Sequence, residues 1–223
     1  MGRGVQEEDS SSPSASLEIT KASRTGTAGQ IELHLSDGSF FFVSEQDLRE
    51  ENLSSLELTA GLELSGAAVR RLKDGALRRR VYEKALDLLA RAPHTVFSLR
   101  LKLLKRGFED RFVEEVLESL GEKGYLDDLR FAERWLRERA ERRPEGRAVL
   151  VAGLLRRGVG RQTAEEAVNS YLSPALEREQ AIRALEKLRR PGETDTAKLA
   201  RRLRARGFAY PLIRQVLEEQ RPS

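Results

Sequence analysis

Leu103-Leu104-Lys105-Arg106-Gly107-Phe108 is the stretch that decides the fold, because a similar segment occurs twice more along the chain. Arg156-Arg157-Gly158-Val159 and Ala205-Arg206-Gly207-Phe208 repeat it, with the three glycines 51 and then 49 residues apart. Self-similarity at such a period is typical of proteins built from copies of one supersecondary unit. The sequence therefore predicts three repeats of about 50 residues in the later part of the 223-residue chain.

The apolar residues around the three glycines also coincide. A leucine lies four residues before each glycine, and apolar residues follow six, nine and ten residues after it. These positions are Leu103, Leu154 and Leu203; Val113, Ala164 and Ile213; Val116, Ala167 and Val216; and Leu117, Val168 and Leu217. Spacings of three and four residues indicate the buried face of a helix. Each glycine is then expected to stop one short amphipathic helix in a left-handed conformation, with cations near the helix end, and to precede a second helix.

A longer helix is predicted upstream of each pair, and a proline closes each of the three, because a helix usually stops just before proline. The predicted helices are Val81 to Ala92, Leu129 to Arg142 and Ala175 to Arg190, followed by Pro93, Pro144 and Pro191. Each repeat is therefore three helices. In the middle repeat, Gly153 indicates either close packing or a bend, and Phe131 and Trp135 form either a core seam or an exposed partner contact.

Before the repeats, alternating apolar residues predict a small β-meander over Leu17–Ala22, Ile31–Leu35 and Ser39–Val43. Ser44 and Ser65 are predicted to cap helices. The fold class is mainly α: tandem three-helix repeats in an elongated, curved array with a small N-terminal β-meander. The predicted domains are a disordered tail over 1–16, a β/α region over 17–75, and three-helix repeats over 76–126, 127–177 and 178–223.

Composition narrows the function. The chain has no cysteine, which excludes disulfides and thiolate chemistry, and neither a signal peptide nor an apolar stretch long enough to span a bilayer is recognised. We therefore expect a cytoplasmic protein. Residues 1–75 hold 7 Lys and Arg against 13 Asp and Glu, a net charge of −6, and the remainder holds 33 against 23, a net of +10. This asymmetry indicates a polyanionic partner.

Residues with catalytic potential favour structural interpretations. The adjacent Asp127 and Asp128 precede a predicted helix and are better placed as helix caps than as metal ligands. Neither His34 nor His94 has the helical partner of a zinc motif, and phosphate-loop and hydrolase motifs are missing from the sequence. We expect no enzymatic activity, cofactor or metal.

The candidate binding residues are cations that recur on the short helices of the three repeats. They are Arg100, Lys102, Lys105 and Arg106 in the first; Arg147, Arg156 and Arg157 in the second; and Lys198, Arg201, Arg202, Arg204 and Arg206 in the third. Any one of them is compatible with a solvated helix face. Their recurrence favours a row of cations that faces either nucleic-acid phosphates or an acidic protein groove.

The motifs themselves resemble a known family. The run Gly124-Tyr125-Leu126-Asp127-Asp128-Leu129-Arg130-Phe131-Ala132 is similar to the most specific motif of the RecX family of recombinase regulators. Leu103–Phe108, Val116–Leu120, and Gly146-Arg147 with Leu154–Val159 also match the family's pattern, so the resemblance covers about residues 76–220. The acidic, Ser-rich tail and the apolar Val149–Ala152 run depart from it.

The resemblance implies a non-catalytic, monomeric protein that binds the RecA nucleoprotein filament along its groove. Such proteins restrain filament growth, ATPase activity and strand exchange in recombination, DNA repair and the SOS response, and some also bind single- or double-stranded DNA directly. Two other interpretations stay open. One is a helix-turn-helix-like DNA-binding protein, against which the acids of the second helices argue; the other is a generic helical-repeat scaffold.

Overall fold

The computed structural model describes residues 16–26, 29–189 and 195–220. The chain divides into two compact units between Glu83 and Lys84. Apart from Ser16, the predicted disordered tail lies outside the described residues, as does Pro191. The residue bounds assigned to the three repeats from the sequence stay predictions.

The N-terminal unit contains the predicted antiparallel sheet. Its strands are β1 (Leu17–Arg24), β2 (Gln30–Leu35), β3 (Phe40–Ser44) and β4 (Glu63–Leu64), in the order β3-β2-β1-β4. The three-stranded meander is confirmed, and β4 is an addition. β4 pairs with β1 over two residues only, which is too short to show the alternation that predicts a strand.

Two helices follow the meander: α1 (Glu45–Glu50) and α2 (Gly66–Arg91). Ser44 and Asp47 form a reciprocal capping box at the start of α1, and the Ser65 hydroxyl accepts a hydrogen bond from the backbone of Ala68. The sequence predicted a separate helix from Val81, whereas α2 is continuous over 26 residues. Gly75 does not interrupt α2, and its bare Cα leaves room for Asp47, whose Oδ1 would lie 3.0 Å from an added Cβ.

The C-terminal unit is helical, as predicted. Its helices are α3 (Val96–Leu104), α4 (Asp110–Glu122), α5 (Asp128–Arg142), α6 (Arg147–Leu155), α7 (Arg161–Tyr171), α8 (Pro174–Leu188), α9 (Thr196–Ala205) and α10 (Tyr210–Glu219). The end of α2 with α3 and α4, α5 to α7, and α8 to α10 form three tandem three-helix repeats. This confirms the mainly helical fold class with its N-terminal β-meander.

The repeated apolar positions form the cores of the repeats. Leu103, Leu154 and Leu203 are each fully buried, and so are most of the later positions in register with them. In the first repeat, α2 buries Leu88, whereas Leu86 and Leu89 are half-buried.

The three repeat glycines have the predicted left-handed conformation, with φ of 82° at Gly107, 84° at Gly158 and 89° at Gly207. The arginine before each glycine is bonded to a backbone carbonyl near a helix end. Arg106 donates to the Lys102 carbonyl at 2.7 Å, and Arg157 donates to the Gly153 carbonyl at 2.9 Å. These side chains therefore satisfy carbonyl groups that a helix leaves without intrahelical partners.

Consecutive repeats meet at helix ends. The Thr95 hydroxyl at the start of α3 donates to the Arg157 carbonyl at the end of α6, at 2.7 Å. A contact at the equivalent place occurs one repeat later, where the backbone amide of Gly146 at the start of α6 donates to the Arg206 carbonyl at the end of α9, at 2.8 Å. Each junction places the partially positive N-terminus of one helix against the partially negative C-terminus of another, which is electrostatically favourable.

Glycine allows this close approach at both junctions. An added Cβ at Gly158 would overlap Phe97, and one at Gly207 would lie 2.6 Å from the backbone nitrogen of Val149. Gly107 has the same backbone conformation, but nothing lies within 4 Å of the position where its Cβ would be. Gly158 and Gly207 therefore serve packing as well as turn geometry.

Candidate partner interface

A basic and apolar depression lies where the first two repeats meet, and we call it the junction notch. Its volume is about 340 Å³. The residues that line it are Pro93, Phe97, Ser98, Leu101, Lys102, Lys105, Phe131, Arg156 and Arg157. It brings four of the predicted cations together, two from α3 and two from the end of α6.

Two adjacent carboxylates fix α3 beside the second repeat. Asp127 caps its own helix, since its Oδ1 accepts from the Arg130 amide at 3.0 Å. Asp128 reaches across the junction, and its Oδ1 accepts from the Val96 amide at 2.9 Å at the start of α3. Burial, together with the neighbouring Asp127 charge, raises the pKa of Asp128. The predicted capping role of this acidic pair is correct, and Asp128 caps a helix of the preceding repeat.

The notch concentrates positive charge. Burial and the charges of Arg139 and Arg156 lower the pKa of Arg157. The Arg157 guanidinium also lies over the Trp135 ring, 4.7 Å from its centroid. On α3, the Lys102 ammonium lies 3.2 Å from His94 Nε2. Burial, and then the Lys102 charge, lower the pKa of His94 and so favour the neutral imidazole.

The notch also exposes apolar side chains. Phe97 is 50% exposed and Leu101 is 37% exposed. They lie four residues apart on one side of α3, next to Lys102 and Lys105. Sequence reasoning missed both residues. The sequence did contain a signal for them, because only the first repeat has large apolar side chains at these two positions. The equivalent positions hold Ala148 and Ala152 in the second repeat, and Ala197 and Arg201 in the third.

Trp135 is part of the second repeat's core and is not an exposed anchor for a partner. It packs against that core, and an added Cβ at Gly153 would lie 3.1 Å from Trp135 Cζ2. Close packing therefore accounts for the glycine inside α6. Phe131 is half-buried and also lines the notch.

A second depression, of about 700 Å³, lies where the second and third repeats meet. It brings together two further predicted cations, Arg147 and Arg204, but Glu165 and Glu177 also line it. Arg147 is committed internally, since it donates to the Leu172 carbonyl at 3.0 Å. The concentration of cations at the first junction is thus not repeated at the second.

The other predicted cations are dispersed. Arg100 is held by the carboxylates of Asp110, at 2.7 Å, and Glu114 on α4. Arg202 donates to the Leu188 carbonyl at 3.2 Å, and Arg206 donates to the Pro144 carbonyl at 3.3 Å. Lys198 is half-buried, whereas Arg106, Arg201 and Arg204 are exposed. Several recurrent cations therefore serve the fold.

Two further properties concern the described residues alone. Across 16–26, 29–189 and 195–220, no cluster of three or more His, Asp or Glu side chains is placed to hold a metal ion. Over the same ranges, none of the helices combines the length and apolar character that crossing a bilayer requires.

The fold and the junctions define a class of protein, a tandem three-helix repeat protein whose repeats join through helix ends. Residues 82–120 match the first three-helix domain of RecX, and residues 127–168 match the second. The chain is 44% identical over 133 residues to the Regulatory protein RecX of Treponema pallidum, covering 60% of this chain and 80% of that one. It is 40% identical over 145 residues to that of Thermobifida fusca, covering 60% and 77%.

Solved structures show the same fold. A crystal structure of regulatory protein RecX superposes with a TM-score of 0.74 at 22% identity, covering 91% of this chain and 99% of that one. The structure of RecX from Lactobacillus salivarius gives a TM-score of 0.59 at 22% identity, covering 64% and 96%. The chain belongs to the RecX family.

Proposed function

We propose that this chain regulates a RecA-type recombinase by binding the RecA–DNA filament along its groove. Binding there restrains filament growth, ATP hydrolysis and strand exchange, and so acts on recombination, DNA repair and the SOS response. Membership of the RecX family, whose members are named as regulatory proteins, supports the regulatory role. The observation that carries the proposal is the meeting of cations from two repeats at the junction notch.

Tandem repeats suit a periodic partner. When one repeat is bound, the next binds as an intramolecular event at a high effective concentration, so modest contacts give a firm complex. Lys105, Arg156, Arg201 and Arg204 are exposed, and their side chains have no hydrogen bond or ion pair to any residue that the structure describes. They are therefore available to an acidic track without breaking internal contacts.

The acids on the second helices weigh against duplex DNA as the main partner. Glu114 and Glu115 on α4, and Glu165 and Glu166 on α7, are exposed. Phosphates would be repelled by such faces, whereas a recognition helix is basic or neutral toward DNA. The proposal accordingly assigns the regulatory contact to the filament protein, with direct DNA binding as a weaker property, and it assigns no catalytic step.

The test compares charge reversals in ATPase and co-sedimentation assays with a RecA–DNA filament. Lys105→Glu combined with Arg156→Glu is expected to raise the concentration for half-inhibition by roughly tenfold, which corresponds to about 1.4 kcal/mol of binding energy. Arg214→Glu is a control for charge reversal at an exposed site away from the notch, because the Arg214 side chain is 72% exposed and, among the residues that the structure describes, pairs with Glu218 on its own helix alone.

Three outcomes would contradict the proposal. The wild-type chain could fail to inhibit or to sediment with the filament, or the control could weaken inhibition as much as the double variant. The third is tight, sequence-specific duplex binding at physiological salt, which would favour a DNA-binding protein instead.

A further inference from the structure

We infer that the junction notch is a docking site for an acidic protein segment that carries an apolar anchor, a phenylalanine or leucine flanked by Asp and Glu. This inference rests on the proposed function and deepens it, since the segment would belong to the recombinase. The notch then recognises protein, and the third repeat's exposed cations have a separate role.

The notch combines apolar and positively charged side chains at one place. Phe97 and Leu101 offer an apolar surface that the notch leaves exposed. Lys102, Lys105, Arg156 and Arg157 surround it. An apolar side chain flanked by carboxylates satisfies both, because its ring or branched end covers Phe97 and Leu101 while its neighbours face the cations.

The notch is small enough to select side chains over a nucleic-acid backbone. At about 340 Å³ it can take one or two large side chains, and it lies at the low end of pocket volumes in proteins. A nucleic-acid backbone needs a longer continuous basic track. The next junction interrupts such a track with Glu165 and Glu177, and Asp110 and Glu114 neutralise Arg100 on the same helix as the notch residues.

The cations at the notch lie close enough to repel one another. Burial, and then the charges of Arg139 and of the notch residue Arg156, lower the pKa of Arg157. A bound carboxylate would relieve that repulsion. Lys105 and Arg156 are the best candidates for the contact because their side chains have no partner within the described ranges.

Hydrogen bonds between the repeats hold the notch residues in place. The Val96 amide, next to Phe97, donates to Asp128, and the Thr95 hydroxyl donates to the carbonyl of the notch residue Arg157. Gly158 packs against Phe97 at the same place. Cations from two repeats are thereby held in a fixed arrangement before a partner binds, which reduces the entropy lost on binding.

Fluorescence anisotropy with the full chain tests the inference. The probe is a labelled peptide of about ten residues, all Asp or Glu except for one Phe and one Leu four positions apart. A second peptide replaces Phe and Leu by Ser at the same charge, and a labelled oligothymidylate of the same length is the nucleic-acid arm. We expect the apolar peptide to bind roughly tenfold more tightly than the Ser peptide.

Variants locate the site. Lys105→Glu with Arg156→Glu should weaken the apolar peptide by roughly tenfold, and Leu101→Ser should remove most of its advantage over the Ser peptide. Arg214→Glu should leave both affinities unchanged. Helical circular dichroism of each variant checks that folding is retained.

Equal affinity for the two peptides, tighter binding of oligothymidylate, no binding of either peptide, or insensitivity to the notch variants would each overturn the inference. Measuring inhibition of the recombinase ATPase by the same proteins distinguishes failure of the docking inference from failure of the proposed function. If the wild-type chain inhibits and the Leu101→Ser variant inhibits equally well, the docking inference fails while the proposed function stands. If the wild-type chain does not inhibit, the proposed function itself fails.

Discussion

Replacing Gly158 by alanine should weaken the junction between the first two repeats, and Gly107→Ala provides an internal control. The two glycines have φ of 84° and 82°, so the left-handed backbone costs an alanine about the same at both, about 1 to 2 kcal/mol. Only Gly158 packs against another repeat. Its added methyl group would overlap Phe97, whereas the methyl group at Gly107 would meet nothing within 4 Å.

Rotation of the Phe97 ring cannot relieve this overlap, because the Phe97 Cβ itself would lie 2.5 Å from the new methyl carbon. Overpacking of a close contact costs about 1 to 3 kcal/mol. The total for Gly158→Ala is therefore about 2 to 5 kcal/mol, against about 1 to 2 kcal/mol for Gly107→Ala. The difference in the free energy of unfolding between the two variants therefore measures the effect of the overlap at the junction alone.

Urea unfolding followed by tryptophan fluorescence measures that difference. The chain has one tryptophan, Trp135, which packs in the second repeat and lies under Arg157 beside the junction. A lower midpoint with an unchanged slope indicates a loss of stability rather than a change in the unfolded state. Equal losses in Gly107→Ala and Gly158→Ala would refute the reasoning, because they would show that the contact between repeats contributes nothing beyond backbone strain.

Three further predictions concern the same region. Asp128→Ala should lower the free energy of unfolding by about 1 kcal/mol because the Val96 amide loses its cap, while Asp128→Asn, which keeps an acceptor oxygen, should change it little in the same urea assay. The pKa of His94 is lower in the folded chain than its ordinary value of 6.5. As the pH falls from above 6.5 to the folded-state pKa, the unfolded chain therefore binds more protons at this residue than the folded chain does. Stability should therefore decline over that window, and His94→Gln should flatten the decline; an unchanged pH dependence would contradict it. Arg100→Ala should lower the midpoint of urea unfolding slightly because it removes two ion pairs to α4, whereas Lys105→Ala should leave the midpoint unchanged; equal losses would mean that Lys105 is also structural.

The recurrent cations show a limit of prediction from sequence patterns. Their recurrence predicted one row of binding residues, but the recurrence at Arg106, Arg157 and Arg206 has another cause. Each of these side chains bonds a backbone carbonyl at a helix end or junction. Recurrence in a repeat protein reports any role that every repeat shares, and ending a helix is such a role. Phe97 and Leu101, which occur in the first repeat alone, could not be found by searching for recurrence.

The capping residues show the opposite case. Ser44 with Asp47, and Asp127 before its helix, were recognised from the sequence because a cap acts within three residues along the chain. Asp128 has the same residue type in the same motif, yet its partner is the Val96 amide, 32 positions away. Nothing in local spacing distinguishes a carboxylate that caps its own helix from one that caps a neighbour.

The sequence by itself determined most of the helices, most of their stops and the faces they bury, because helical periodicity, glycine conformation and proline geometry act over a few residues. The repeated register of apolar positions also determined that one three-helix unit occurs three times. Only the tertiary structure decided that the end of α6 contacts the start of α3 and that Phe97 packs against Gly158. It also decided that Lys105 and Arg156 line the same notch. Those contacts join residues about 50 or more positions apart, and they depend on how separately folded helices pack in space.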